Sequence, residues 1–108
     1  MVFGLKRGSK EANIIAKDTT PSHYVYILEC LDGSYYTGYT PDLGKRVLKH
    51  KQRKGAKYTM AKGYKKLVYF ETHLTKEFAM RREFSIKRAS RDYKEELVSN
   101  FSRDIELL

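Results

Sequence analysis

Arg46 and His50 stand four residues apart in the segment PDLGKRVLKHK, and at helical spacing both side chains leave the same face. Arginine offers a planar, permanently charged fork for a phosphate oxygen. Histidine is the side chain that most readily takes a proton near neutral pH. Upstream lie two tyrosines ten residues apart, Tyr26 and Tyr36. Downstream is a carboxylate, Glu83, with Ala79 and Met80 about one turn before it and Ile86 about one turn after. A carboxylate can hold a hard, oxygen-ligating cation such as Mg2+ or Mn2+. Phosphodiester hydrolysis calls for these parts: an activated water, a cation at the phosphate and help for the leaving oxygen. Each residue also has a plainer reading. Arg46 and His50 fit a solvated basic helix edge, and Glu83 fits a surface acid paired with Arg82 or Lys87. Most of the nine tyrosines, Tyr35, Tyr69 and Tyr93 among them, fit strands and core.

The elements that must position these residues can be read from pattern. HYVYILEC (23–30) is β-branched and aromatic and reads as a strand, LDGS as a turn and YYTGYT (35–40) as a second strand, so the pair is a hairpin. A two-residue Asp32-Gly33 loop would put Tyr26 opposite Tyr39 and turn Tyr36 to the other face. A three-residue Leu31-Asp32-Gly33 loop, with Gly33 left-handed, pairs Cys30 with Ser34, Leu28 with Tyr36 and Tyr26 with Gly38. Both tyrosines then share a face, and Gly38 leaves a gap opposite Tyr26 that a phosphate could approach. Thr40 is placed to cap a helix that starts at Pro41, runs to Lys51 or Arg53 and carries Leu43, Val47 and Leu48 as its apolar stripe. RKGAKYTMAKGYKK reads as a basic loop and LVYFET as a third strand. Thr75 opens a helix to about Ala89, and Ser90 opens another containing Leu97, Val98 and Phe101. The order β-β-α-β-α-α predicts an α+β fold, a small, mainly antiparallel three-stranded sheet with helices packed on it. Residues 1–22 read as a flexible extension ahead of one domain, 23–108.

Charge narrows the partner. The chain has 108 residues and a net charge of +9. Residues 41–66 hold ten of the lysines and arginines against one acid, Asp42, whereas residues 67–108 balance eight bases with eight acids. Concentrated charge attracts polyanions. Tyr58, Tyr64, Gly55 and Gly63 interleave this segment, in place of the leucine and tryptophan stripe of a membrane-lying helix. Nucleic acid is therefore the expected partner, DNA before RNA. Lys45, Lys49, Arg53, Lys54, Lys57 and Tyr58 are expected to bind it by charge and stacking. Cys30 is the sole cysteine, which rules out an intramolecular disulfide and a cysteine zinc site. No apolar run approaches the roughly 18 residues of a membrane span, and the N-terminus lacks the apolar stretch of a secretion signal. A cytoplasmic monomer is expected.

One family has these residues in this register. YVY (24–26), then YTG (36–38) on the next strand, with Arg46, His50 and Glu83 following, resembles the catalytic core of the GIY-YIG nucleases. GYTPDLGKRVLKH, GAKYT and EFSIKR are similar to small, stand-alone bacterial members. Tyr24, Val25 and Thr37 depart from the signature at positions that are not catalytic in the family. The resemblance implies a metal-dependent endonuclease with catalytic residues Tyr26, Tyr36, Arg46, His50 and Glu83. Arg46 would stabilise the phosphate, His50 would serve as a second base or hydrogen-bonding group, and Glu83 would hold one Mg2+ or Mn2+ ion. The alternative is a nucleic-acid-binding module that keeps the fold but cleaves weakly or not at all.

Overall fold

The computed structural model describes residues 22–106. The expected N-terminal extension lies, but for Ser22, outside the described residues. Strands β1 (His23–Cys30), β2 (Tyr35–Thr40) and β3 (Tyr64–His73) form one antiparallel sheet in the order β2-β1-β3. Helices α1 (Leu43–Lys51) and α2 (Lys57–Lys62) lie between β2 and β3. Helices α3 (Lys76–Arg88) and α4 (Arg91–Glu106) follow. The α+β class and the three-stranded sheet are as the sequence predicts, with one more helix than expected.

β1 is central, and this explains its composition. Val25, Tyr26, Ile27 and Leu28 are all fully buried, so both faces of the strand are covered. Val25 and Ile27 join Ala79 and Ile86 of α3 in the apolar core, with Val68, Tyr69, Leu97 and Val98 packed around them. Phe101 of α4 closes the β3 side edge-on to Tyr69 and Phe70, at centroid distances of 5.5 and 5.2 Å. The opposite face of β1 carries Tyr26 and faces α1 and α2.

The hairpin follows the three-residue loop. Tyr26 pairs with Gly38 and Leu28 with Tyr36, Cys30 N–H donates to the Ser34 carbonyl at 2.8 Å, and Gly33 has φ 86°. Only glycine adopts that conformation freely. Asp32 Oδ1 pins the turn by accepting from the Ser34 N–H at 3.0 Å and its hydroxyl at 2.6 Å.

The structure corrects several local expectations. The cap of α1 is Asp42, whose side chain accepts from Lys45 N–H, and the helix starts at Leu43. Thr40 instead folds its hydroxyl onto Asp42, accepting from its N–H at 3.0 Å and donating to its carbonyl at 3.1 Å. Leu48 is 53 % exposed and is no part of an apolar stripe. The basic loop contains α2, and its last residues, Tyr64–Lys66, belong to β3. Turn-like glycines at 55 and 63 hide this short helix, because they bracket it and do not interrupt it. α1 ends with Arg53 at φ 61°, where Arg53 N–H donates to the His50 carbonyl and Lys54 N–H to the Lys49 carbonyl. That is a Schellman closure with arginine in the place usually taken by glycine.

Candidate active site

Tyr26 and Tyr36 share a sheet face because Gly38 lies across from Tyr26. Their ring centroids are 6.3 Å apart. The space over Gly38 is not open to a phosphate, contrary to the expectation from sequence. A Cβ there would come within 2.5 Å of the Tyr26 hydroxyl, so the missing side chain makes room for the tyrosine ring itself. Tyr26 is accordingly fully buried. Tyr36 remains partly exposed, and among the described residues its hydroxyl makes no hydrogen bond.

His50 is not at a solvated helix edge. It is the one fully buried residue of α1, and its ring lies 5.8 Å from that of Tyr26 and 5.4 Å from that of Tyr36. Its Nε2 is 3.0 Å from the Tyr26 hydroxyl, and its Nδ1 is 2.7 Å from the Thr59 hydroxyl. Thr59, itself fully buried, donates to the Ala56 carbonyl at 3.1 Å. Gly55 packs flat on the imidazole, and a Cβ at that position would overlap the ring. Thr59 and Gly55 went unrecognised as individual residues in the sequence, although they bound the GAKYT segment. What marks them is contact with His50 across a chain reversal, which spacing does not show.

Electrostatics follow from burial. Burial, and then the Arg46 charge, hold the His50 pKa below the ordinary 6.5, so the ring is neutral at physiological pH. Burial first, and the neighbouring Tyr36 second, push the Tyr26 hydroxyl well above the ordinary tyrosine range; Arg46 opposes this and the Glu83 charge adds to it. Arg46 is thus within electrostatic reach of both Tyr26 and His50. It shares a shallow depression with Lys45 and Lys49 at the β2–α1 junction, lined also by Thr40, Pro41 and Asp42. Lys54 and Lys57 are exposed beyond it, as is Arg53. Tyr58 stacks on Tyr36 at 6.0 Å and 27°, leaving 39 % of its surface open.

Glu83 comes from α3, and its charge is felt at the Tyr26 hydroxyl. Its side chain is 15 % exposed, and one carboxylate oxygen is 3.4 Å from Lys87 Nζ. Arg82 turns away to Glu71. Among the described residues no three His, Cys, Asp or Glu side chains converge on a metal-sized site. Glu83 would offer a hard divalent cation one carboxylate, with water and substrate phosphate left to complete the shell. Also among the described residues, no helix is long and apolar enough to cross a membrane.

A family model of the GIY-YIG catalytic domain matches residues 22–96. The chain belongs to the GIY-YIG family. The family's activity is that of a nuclease, and nucleic-acid binding comes with it. Among relatives, the UPF0213 protein BH0048 of Halalkalibacterium halodurans is 55 % identical over 78 residues, covering 72 % of this chain and 83 % of that one. The UPF0213 protein SSP2268 of Staphylococcus saprophyticus is 49 % identical over 77 residues, covering 71 % and 94 %. The UPF0213 protein VNG_2274C of Halobacterium salinarum is 49 % identical over 75 residues, covering 69 % and 97 %. The NMR structure of the BH0048 protein covers 71 % of this GIY-YIG chain and 82 % of its own, with a TM-score of 0.47.

Proposed function

We propose that the protein is a metal-dependent endonuclease that hydrolyses phosphodiester bonds, of DNA in preference to RNA, at the site formed by Tyr26, Tyr36, Arg46, His50 and Glu83. The observation that carries this reading is the buried, neutral His50 bonded to Tyr26 with its ring against the partly exposed Tyr36. Tyr36 is the hydroxyl a water can touch. In the proposed step bound substrate turns the Tyr36 hydroxyl, which makes no hydrogen bond among the described residues, onto the Tyr26 oxygen; the attacking water then gives a proton to the Tyr36 oxygen, Tyr36 passes its own to Tyr26, and Tyr26 passes its own to His50 Nε2. The resulting hydroxide attacks phosphorus as the bond to the leaving oxygen breaks. Arg46 faces the charge that builds on the phosphate, with Lys45 and Lys49 extending the grip along the backbone. When bound, a divalent ion at Glu83 supplies Lewis-acid stabilisation of the phosphate and the leaving oxygen. Lys54, Lys57, Arg53 and Tyr58 hold the flanking strand by charge and stacking.

The Glu83–Lys87 ion pair favours a second reading, a binding module that cleaves slowly, because the pair competes with a cation for the carboxylate. Incubation with labelled duplex, branched and single-stranded DNA and with RNA, in Mg2+, Mn2+ or EDTA, separates the two. The nuclease reading expects cleavage that EDTA and Glu83→Gln abolish. Cleavage that survives either treatment overturns the site. Binding without cleavage under every condition supports the module. For either reading, if about four bases meet phosphates, log K should fall with log salt at a slope of roughly −3 to −4. Reversing Lys49, Lys54 and Lys57 to Glu should flatten that slope. Reversing Arg91, Lys94 and Arg103 on α4 should leave it nearly unchanged, because that helix already carries more acids than bases.

A further inference from the structure

We infer that Thr59 is a positioning residue that fixes the tautomer of His50, so that Nε2 is the proton acceptor aimed at Tyr26. The inference rests on the proposed role of the Tyr26–His50 pair, but it concerns a residue outside that set. Three distances carry it: Thr59 hydroxyl to Ala56 carbonyl 3.1 Å, Thr59 hydroxyl to His50 Nδ1 2.7 Å, and Tyr26 hydroxyl to His50 Nε2 3.0 Å.

A carbonyl cannot donate, so the single Thr59 proton goes to Ala56, and the Thr59 oxygen is left to accept from Nδ1–H. With its one proton on Nδ1, the neutral ring presents a lone pair at Nε2, and the Tyr26 hydroxyl donates to it. The opposite tautomer makes two errors in a buried place. It sets the Thr59 oxygen and the Ala56 carbonyl lone pair to lone pair at 3.1 Å, and it leaves the Tyr26 proton without an acceptor on the ring. A buried polar hydrogen without a partner carries its full desolvation penalty, which biases the ring toward the tautomer that satisfies both hydroxyls.

The support behind Thr59 is rigid. The Ala56 carbonyl is also the acceptor for Met60 N–H at 2.9 Å in the first turn of α2, so it cannot turn away. Gly55 lies against the imidazole so closely that a Cβ there would overlap the ring. The segment from Gly55 to Thr59 is in this sense a clamp on the histidine, and this gives α2 a purpose beyond its basic surface.

The test reads the tautomer and the rate separately. Long-range proton–nitrogen NMR on protein labelled with 15N in histidine reports which His50 nitrogen carries hydrogen, whether or not the protein cleaves anything. In the wild type the expected result is Nδ1–H with an unprotonated Nε2. Thr59→Val keeps the shape and loses the hydroxyl, so it should move the ring toward Nε2–H. It should also lower the cleavage rate at saturating substrate tenfold or more with little change in KM. Thr59→Ser restores the hydroxyl and should return both readouts to within about threefold of wild type. Nε2–H in the wild type overturns the inference, as does a Thr59→Val protein that keeps Nδ1–H. A moved tautomer with an unchanged rate overturns the link to catalysis. If Thr59→Val fails to fold, the wild-type and Thr59→Ser spectra still decide the tautomer. Absence of cleavage in the wild type tells against the nuclease reading and leaves the tautomer result standing.

Discussion

The two faces of β1 each hold a polar network, and the two are built on opposite terms. On the α3 side, Glu71 is a carboxylate surrounded by donors. Tyr69 donates to it through its hydroxyl, His73 Nε2 lies 2.7 Å away, and Arg82 Nε reaches both oxygens at 3.1 and 2.9 Å. Burial works to raise the Glu71 pKa, but the hydrogen bonds from Tyr69, His73 and Arg82 outweigh it and hold the acid below the ordinary range. Burial and Glu71 push Tyr69 up to about 12. Arg82 also donates to the Tyr93 hydroxyl at 3.1 Å, so the network ties β3 to α3 and α4. On the other face, Tyr26, His50 and Thr59 form a chain with no formal charge, beside Arg46 and a Tyr36 whose hydroxyl makes no hydrogen bond among the described residues. The first network is saturated, and its work is to hold helices. The second keeps a base neutral and, among the described residues, a hydroxyl free, and that is the capacity the proposed catalysis would use.

The widest separation between the two faces is expected from one substitution on each. Tyr36→Phe should lower cleavage by about 10²–10⁴, the range for losing a positioned proton-transfer group, with a nearly unchanged melting temperature. Glu71→Ala should do the reverse. Breaking a buried ion pair costs about 3–5 kcal/mol, and partial exposure here reduces that to about 2–3. Cleavage per folded molecule should survive it. Thermal melts and initial rates on both variants check the contrast, and a Glu71→Ala protein that is stable but inactive would erase it.

A smaller effect is expected at the glycines that accommodate rings. Gly38→Ala and Gly55→Ala drive a methyl into Tyr26 and His50 and should cost about 1–3 kcal/mol each, as overpacking does. Gly44→Ala, with nothing nearer than Asp42 at 3.9 Å, should stay within about 0.5 kcal/mol of wild type or gain slightly. Denaturant midpoints distinguish these.

Acid should weaken the Tyr26 face through His50. The unfolded chain takes its proton near 6.5, the folded chain only at lower pH, so the unfolded state binds more protons in between. Stability is then fully present above about pH 6.5 and declines as pH falls toward the folded value. Melting temperatures at pH 7.5, 6.5 and 5.5 should drop in that order, and His50→Gln should flatten the decline. A rise in stability on acidification contradicts a buried neutral ring.

The smallest change expected is a gain. Arg53→Gly relieves a left-handed non-glycine residue and should stabilise the fold by about 0.5 kcal/mol, after the extra freedom glycine adds to the unfolded chain. It should also weaken nucleic-acid binding. A gain in stability with no loss of affinity would leave Arg53 without a binding role.

Sequence by itself settled whatever depends on near neighbours along the chain. Strand alternation, the Asp32-Gly33 turn and the Thr75 cap fix β1, β2 and the start of α3, because turn chemistry and period are local properties. The sequence tied the shared face of Tyr26 and Tyr36 to a three-residue loop against a two-residue one, since one residue more or less turns every side chain over, and the observed pairing is that of the longer loop. The concentration of bases in residues 41–66 was equally plain. Tertiary structure decided what those residues meet. Gly38 accommodates a ring and not a ligand, because the Tyr26 side chain folds back across the sheet once α1 covers it. His50 is a buried base because the Gly55–Thr59 segment doubles back over it, a contact between residues five and nine apart that no helical or strand period encodes. The even charge balance of residues 67–108 also divides in space, with five bases and two acids on α3 and the reverse excess on α4. Burial, and with it the protonation state of every group in the site, exists only when distant segments exclude water together, and a one-dimensional pattern does not carry that information.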